Sequence, residues 1–139
     1  MAIQTQGSIK RSWGIELSWA SNESYSGKIL VFEKENMETP LMFHKERKKT
    51  WFINSGKFKI TVCDVKTGRY KEVILEEGQT AEIGECSPHR AVSMVPNSMI
   101  FEVGSKDDTD DIFLLSTTGE ESSEEQRLDL QSSHHREME

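Results

Sequence analysis

Between residues 27 and 117 short apolar runs alternate with turn residues: KILVFE, LMFH, TWFIN, FKITVCDV, YKEVIL, TAEI, RAVSMV, MIFEV and IFLLS. Runs of this length, rich in β-branched and aromatic residues, predict strands, and their spacing predicts an all-β sandwich or barrel. The sharpest local prediction is a hairpin in which residues 57–65 and 70–75 flank Lys66-Thr67-Gly68-Arg69, with Gly68 supplying the positive φ of the turn. Further reversals are expected at Asn54-Ser55-Gly56, Glu76-Glu77-Gly78, Ser87-Pro88 and Val95-Pro96-Asn97. Helical periodicity is hard to find. Residues 13–25 read as a short helix or an irregular N-terminal arm, whose Trp13 and Trp19 cover a barrel opening or a partner chain.

Charge divides the chain in two. Of the net −7, the segment 119–139 carries −5, which leaves −2 for residues 1–118. Leu128, Leu130 and Met138 are the only large apolar residues of that segment, too few to offset an ordering cost of roughly 1–2 kcal/mol per residue, so a disordered acidic tail is expected after a domain spanning 1–118. A ligand role for His134 and His135 is the functional alternative for the tail. The weakly acidic body argues against nucleic acid as a partner, because it has no basic field to displace counterions. The basic run 45–49 is too short to count as a nucleic-acid stripe and reads as a solvated loop.

Cys63 and Cys86 are far apart, without paired metal spacing, and the polar start MAIQTQGSIKRSWG does not read as a secretory signal, so a cytoplasmic location is expected. No run approaches the roughly 18–20 apolar residues of a membrane span.

Met42-Phe43-His44, Lys49, Gly56 and later Gly78 with Pro88-His89 reproduce the spacing of the two cupin motifs, and SWGIELSW, GKILVFE and VGSKDDTDDIF support them. Over about residues 12–116 the chain resembles small single-domain cupins similar to the C-terminal part of mannose-6-phosphate isomerases and mannose-1-phosphate guanylyltransferases. The resemblance implies a double-stranded β-helix, or jelly-roll barrel. It also implies four metal-ligand positions, two histidines one residue apart, a glutamate and a second-motif histidine. These read Met42, His44, Lys49 and His89 here. An ammonium at the carboxylate position repels a cation, so no cofactor is expected. His44 and His89 form an incomplete metal site, which a divalent transition metal would enter only if Glu82, Glu85, Cys86 or Glu102 reached inward. The proline and glycine of the second motif are replaced by Gly84 and Cys86, which bears on the aim of His89.

Strand alternation puts Met42 and His44 on one side of their strand, and the motif turns that side inward together with Lys49 and Trp51. His44, His89 and Lys49 are therefore the candidate catalytic groups, and Met42, Trp51 and Glu102 the candidate ligand-binding ones. Two imidazoles, one ammonium and an aromatic face suit a carbohydrate-like or sugar-phosphate ligand. The chemistry expected of them is metal-independent isomerisation or epimerisation of a sugar, by removal of a proton next to a carbonyl. A non-catalytic binding or structural module is the alternative, and a metal-dependent enzyme with a reduced ligand set is the second alternative. A homodimer is expected, formed through an edge strand or the N-terminal arm, because open barrels leave edges to cover.

Overall fold

The structure, a computed structural model, describes residues 1–3 and 7–116. The predicted acidic tail, the boundary at 118 and the pair His134 and His135 lie outside the described residues. Eleven strands are described: β1 (Ser8–Arg11), β2 (Gly14–Ser21), β3 (Ser26–Phe32), β4 (Leu41–Phe43), β5 (Lys49–Ser55), β6 (Lys57–Asp64), β7 (Arg69–Glu76), β8 (Thr80–Ile83), β9 (His89–Ser93), β10 (Ser98–Gly104) and β11 (Phe113–Ser116). They pair antiparallel into a six-stranded sheet, ordered β1-β2-β3-β10-β5-β8, and a five-stranded sheet, ordered β11-β4-β9-β6-β7. The two sheets form the sandwich that the spacing of the apolar runs predicts, with the jelly-roll architecture that the resemblance implies. No helix among the described residues is long and apolar enough to cross a membrane.

The predicted hairpin forms with β6 and β7 in register from Lys57↔Glu76 to Asp64↔Arg69, and Gly68 takes φ 73° in its turn. Gly56, at φ 83°, bends the chain where it passes from β5 in the larger sheet to β6 in the smaller one, not the reversal expected at this position. A Cβ there would stand 2.7 Å from the Ser98 Cα, so the bend admits only glycine without displacement.

The N-terminal segment differs from the expected irregular arm. β1 and β2 form a hairpin, and β2 pairs with β3, extending the larger sheet. A register shift between Ser18 and Ala20 breaks the alternation of β2. The inward positions of β2 are moreover polar: Glu16 pairs in register with the buried Leu30, and Ser18 with Lys28. A pattern with acids inside and apolar groups outside does not announce itself as a strand.

Inward residues are graded along the central strands. At one end Phe32, Ile53, Phe58, Ile60, Ala91 and Ile100 are fully buried and form the core, and Trp13 stacks on Phe32 at 4.7 Å. Burying each of the large side chains contributes about 1.5–3 kcal/mol. At the other end the same strands turn inward Lys28 from β3, Lys49 from β5, His89 from β9 and Glu102 from β10. The apolar end fixes the register, and the register fixes the polar end: Glu102 lies opposite both Lys28 and Trp51.

Candidate functional site

A cavity of about 100 Å³ occupies the polar end, walled by Met42, His44, Arg47, Lys49, Trp51, His89 and Glu102, and on its other side by Arg11, Trp13, Glu16, Lys28 and Asp107. All six residues singled out from the sequence line it. Met42 pairs in register with His89 across β4 and β9, so a thioether stands where the motif places a histidine.

Glu102 is the centre of the charge network and only 2 % exposed. The indole Nε1–H of Trp51 donates to Oε1 at 2.7 Å, Arg47 Nη2 donates to Oε2 at 2.8 Å, and the Lys49 Nζ lies 3.5 Å from Oε1. Burial alone would raise its pKa, but Lys49, Arg47 and Lys28 together hold it well below the usual carboxylate range. The network continues outward through ion pairs of Arg47 with Asp107, Asp107 with Lys28, Lys28 with Glu16 and Glu16 with Arg11. Burial would lower the Lys28 pKa; Glu16, Glu102 and Asp107 instead raise it above its ordinary value. Four cations thus face three carboxylates around the cavity, counting Arg11, Lys28, Arg47 and Lys49 against Glu16, Glu102 and Asp107.

The histidines are oriented by backbone carbonyls. His44 Nδ1–H donates to the Asp111 carbonyl at 2.9 Å, and His89 Nδ1–H donates to the Ser87 carbonyl at 2.9 Å. A carbonyl only accepts, so in each ring the proton sits on Nδ1 and Nε2 carries the lone pair. His44 Nε2 accepts from the Lys49 ammonium at 3.2 Å, whereas His89 Nε2 is buried with no hydrogen-bond partner. The two rings stand 5.5 Å apart, and Trp51 meets His89 edge-on at 5.4 Å. Burial, then the Lys49 charge, lowers both imidazoles: His44 to about 3 and His89 well below its ordinary value. Lys49 is lowered to about 8, by burial first, with Glu102 opposing that shift and Arg47 and Lys28 adding to it.

Arg47 corrects the expectation of a solvated basic loop, since Arg47 and Lys49 are both buried. The cause is Asp111, whose carboxylate accepts the backbone N–H groups of Lys45, Glu46 and Arg47 at 2.7, 3.0 and 3.2 Å while its carbonyl orients His44. The loop is thereby wound around a carboxylate, and Arg47 is turned inward to Glu102 and to Ser26 Oγ. The signal in the sequence was the Asp110-Asp111 pair before the last strand. Cys86, exposed, adopts φ 61°, the left-handed conformation that the glycine of the motif would take, and its N–H donates to the His44 carbonyl at 2.6 Å. The loop before β9 thus keeps a glycine-like turn without glycine.

The donor set does not fit a divalent metal. The Lys49 ammonium lies between His44 Nε2 and Glu102, where a shared cation would bind, and the Glu102 oxygens are already held by two cations and an indole. Of the groups that could have completed the site, Glu102 alone reaches the cavity; Glu82, Glu85 and Cys86 are exposed. Among the described residues no cluster of three or more His, Cys, Asp or Glu side chains could hold a metal ion.

No family model and no curated protein matches the chain. Solved structures do match. KdgF from Halomonas sp. is 15 % identical, with a TM-score of 0.57 over 67 % of this chain and 78 % of that one. Oxalate decarboxylase from Bacillus subtilis is 16 % identical, with a TM-score of 0.71 over 79 % of this chain and 30 % of that one. The capsular polysaccharide assembling protein CapF from Staphylococcus aureus is 12 % identical, with a TM-score of 0.69 over 83 % of this chain and 34 % of that one. The chain spans about a third of the length of the last two. At these identities the likeness shows the fold alone, which is the cupin barrel.

Proposed function

We propose that this cupin binds the oxygen-rich, anionic end of a carbohydrate-like molecule, such as a sugar acid or sugar phosphate, and moves a proton on it without a metal. The observation that carries this reading is the His89 Nε2, a buried lone pair without a partner, in the same cavity as the Lys49 ammonium. A buried acceptor left unpaired costs about 1–3 kcal/mol, a cost that a ligand O–H or an acidic C–H would relieve. The excess of cations around the cavity favours an anion. Size limits what is enclosed. A cavity of about 150 Å³ accommodates benzene, so the about 100 Å³ here encloses roughly four heavy atoms, a carboxylate or hydroxy-carbonyl terminus and not a whole hexose.

In the proposed reaction the Lys49 N–H donates to the ligand carbonyl or carboxylate oxygen. His89 Nε2 takes the proton from the adjacent carbon, and the electron pair of that C–H bond moves into the carbonyl to give an enolate held by Lys49. An epimer forms when a second donor, water or the Lys49 ammonium, protonates the opposite face while His89 keeps the proton it took. Return of the proton to the neighbouring carbon of an enediol gives an isomer. A bound anion also offsets the Lys49 charge that depresses His89, so binding itself strengthens the base. The two low imidazole pKa values favour a second reading, a pocket that binds without chemistry.

The test is a panel of small hydroxy acids, oxo acids and aldose or ketose phosphates, followed by calorimetry and by NMR for exchange of the α hydrogen in deuterated water. Binding with exchange is expected, with Lys49→Met losing both and His89→Gln losing exchange but keeping affinity within roughly tenfold. Binding without exchange in the wild type would leave the binding module. Near-stoichiometric metal in the purified protein, lost in a His44→Ala/His89→Ala variant, would overturn the metal-free reading.

A further inference from the structure

Strands β3 and β10 carry apolar residues on both faces, beside the inward Lys28 and Glu102 of the cavity. Inward stand Leu30, Phe32 and Ile100, and outward stand Ile29, Val31, Met99, Phe101 and Val103. Near-continuous apolar runs of this kind belong to strands covered on both sides, yet this structure covers one. Across the outward positions of β2, β3, β10 and β5 there is no charged side chain. Phe52 and Phe101 are 38 % and 36 % exposed and lie 6.4 Å apart, and Trp19 and Val103 are 49 % and 50 % exposed. Trp19 packs over Gly27, where a Cβ would meet its ring. The five-stranded sheet is the internal control, since its outward positions include Lys59, Thr61, Glu72 and Arg90.

We infer that the outer face of the six-stranded sheet is the contact between two copies of this chain, packed sheet against sheet. Two properties favour a second copy over another occupant. The first is area: six strands about 4.8 Å apart, four to eight residues long, present roughly 600 Å², at the lower end of the ~600–1,000 Å² per partner of a stable interface. The second is charge. Lys10 points outward on edge strand β1 at the level of Val31 and Met99, and Glu82 points outward on the opposite edge strand β8 at the level of Thr50 and Val103. They mark diagonally opposite corners of the face. A two-fold axis in the plane of the face that exchanges these corners sets each lysine over the partner's glutamate, the self-complementary arrangement that an isologous dimer requires. The interface so formed uses the face of the larger sheet, in place of the edge strand or N-terminal arm expected from the sequence. It also covers the back of the site. Thr50 and Phe52 alternate with Lys49 and Trp51, and Phe101 and Val103 with Glu102.

Sedimentation velocity of the full chain at micromolar concentration is expected to give a dimer. Phe101→Glu is expected to give a folded monomer with an unchanged far-UV spectrum, because burying one unpaired carboxylate at the centre weakens association by roughly a hundredfold or more. Should that variant fail to fold, the edge provides a second reading: Lys10→Glu weakens the dimer and Lys10→Glu/Glu82→Lys restores it. A wild-type monomer, or a dimer that survives both Phe101→Glu and Lys10→Glu, overturns the inference.

Discussion

Lys49 is an ammonium placed where the protein solvates it poorly, and that placement has a measurable cost. Its pKa falls from 10.5 to about 8, so the unfolded chain binds this proton more tightly than the folded one. Stability therefore rises with pH between about 8 and 10.5, and at pH 7 the buried charge costs on the order of 3 kcal/mol. Lys49→Met, an apolar side chain of similar length, sheds that cost but takes a cation from buried Glu102 and a donor from His44 Nε2, so its stability at pH 7 is expected to change by less than about that amount. It should also lack the rise in stability above pH 8. Urea unfolding at pH 7 and pH 9.5 checks both, and a larger loss of stability at pH 7 would make Lys49 structural. Loss of ligand binding with little loss of stability is the signature of a residue kept for function. At this scale the cavity positions 42, 44, 49, 51, 89 and 102 were legible, because motif spacing and two-residue alternation fix which side chains turn inward. Arg47 and Asp111 were not, because their placement depends on one contact between loops that are far apart in sequence. The pairing of Lys28 with Glu16 and Asp107 was hidden for the same reason.

Among the elements, the loop 44–48 decides whether the site is assembled. Its three backbone N–H groups converge on the Asp111 carboxylate at the end of a single 3₁₀ turn, Thr109–Asp111. Charge-assisted hydrogen bonds of this kind each contribute on the order of 1 kcal/mol net. Asp111→Ala is expected to lower stability by about 1–3 kcal/mol and to reduce ligand affinity at least tenfold, because the loop that holds Arg47 and His44 loses its anchor. Thermal unfolding and calorimetry measure the two effects. Unchanged affinity in a destabilised variant would show that Arg47 and His44 keep their positions without Asp111. Strands were legible wherever apolar residues face inward, as in β5, β6 and β10. The β1–β2 hairpin was missed for two physical reasons: its inward face is the polar wall of the cavity, and its register shift at Trp19 erases the period of two.

For the molecule as a whole, concentrating ionisable groups at one end of the barrel ties folding to pH. His44 is lowered to about 3 and His89 well below its ordinary value, so below pH 6.5 the unfolded chain takes up two protons that the folded chain refuses. Stability must fall as pH falls through that window, by roughly 2 kcal/mol from His44 between pH 6.5 and 5, with His89 acting in the same direction. Glu102 and Glu16 act later. Their folded pKa values lie below 4.5, so the stability they contribute is present above that pH and is lost as pH falls through the folded values. A domain of ordinary stability, about 5–15 kcal/mol, is then expected to lose part of it by pH 5, before its buried carboxylates begin to titrate. Urea midpoints from pH 7.5 to 4.5 should decline from pH 6.5, and His44→Gln/His89→Gln should flatten the first part of that decline while leaving the part below 4.5. A flat wild-type profile between pH 6.5 and 5 would mean that the two imidazoles take up protons in the folded barrel. The lone pair of His89 Nε2, on which the proposed proton transfer depends, would then be protonated in that range.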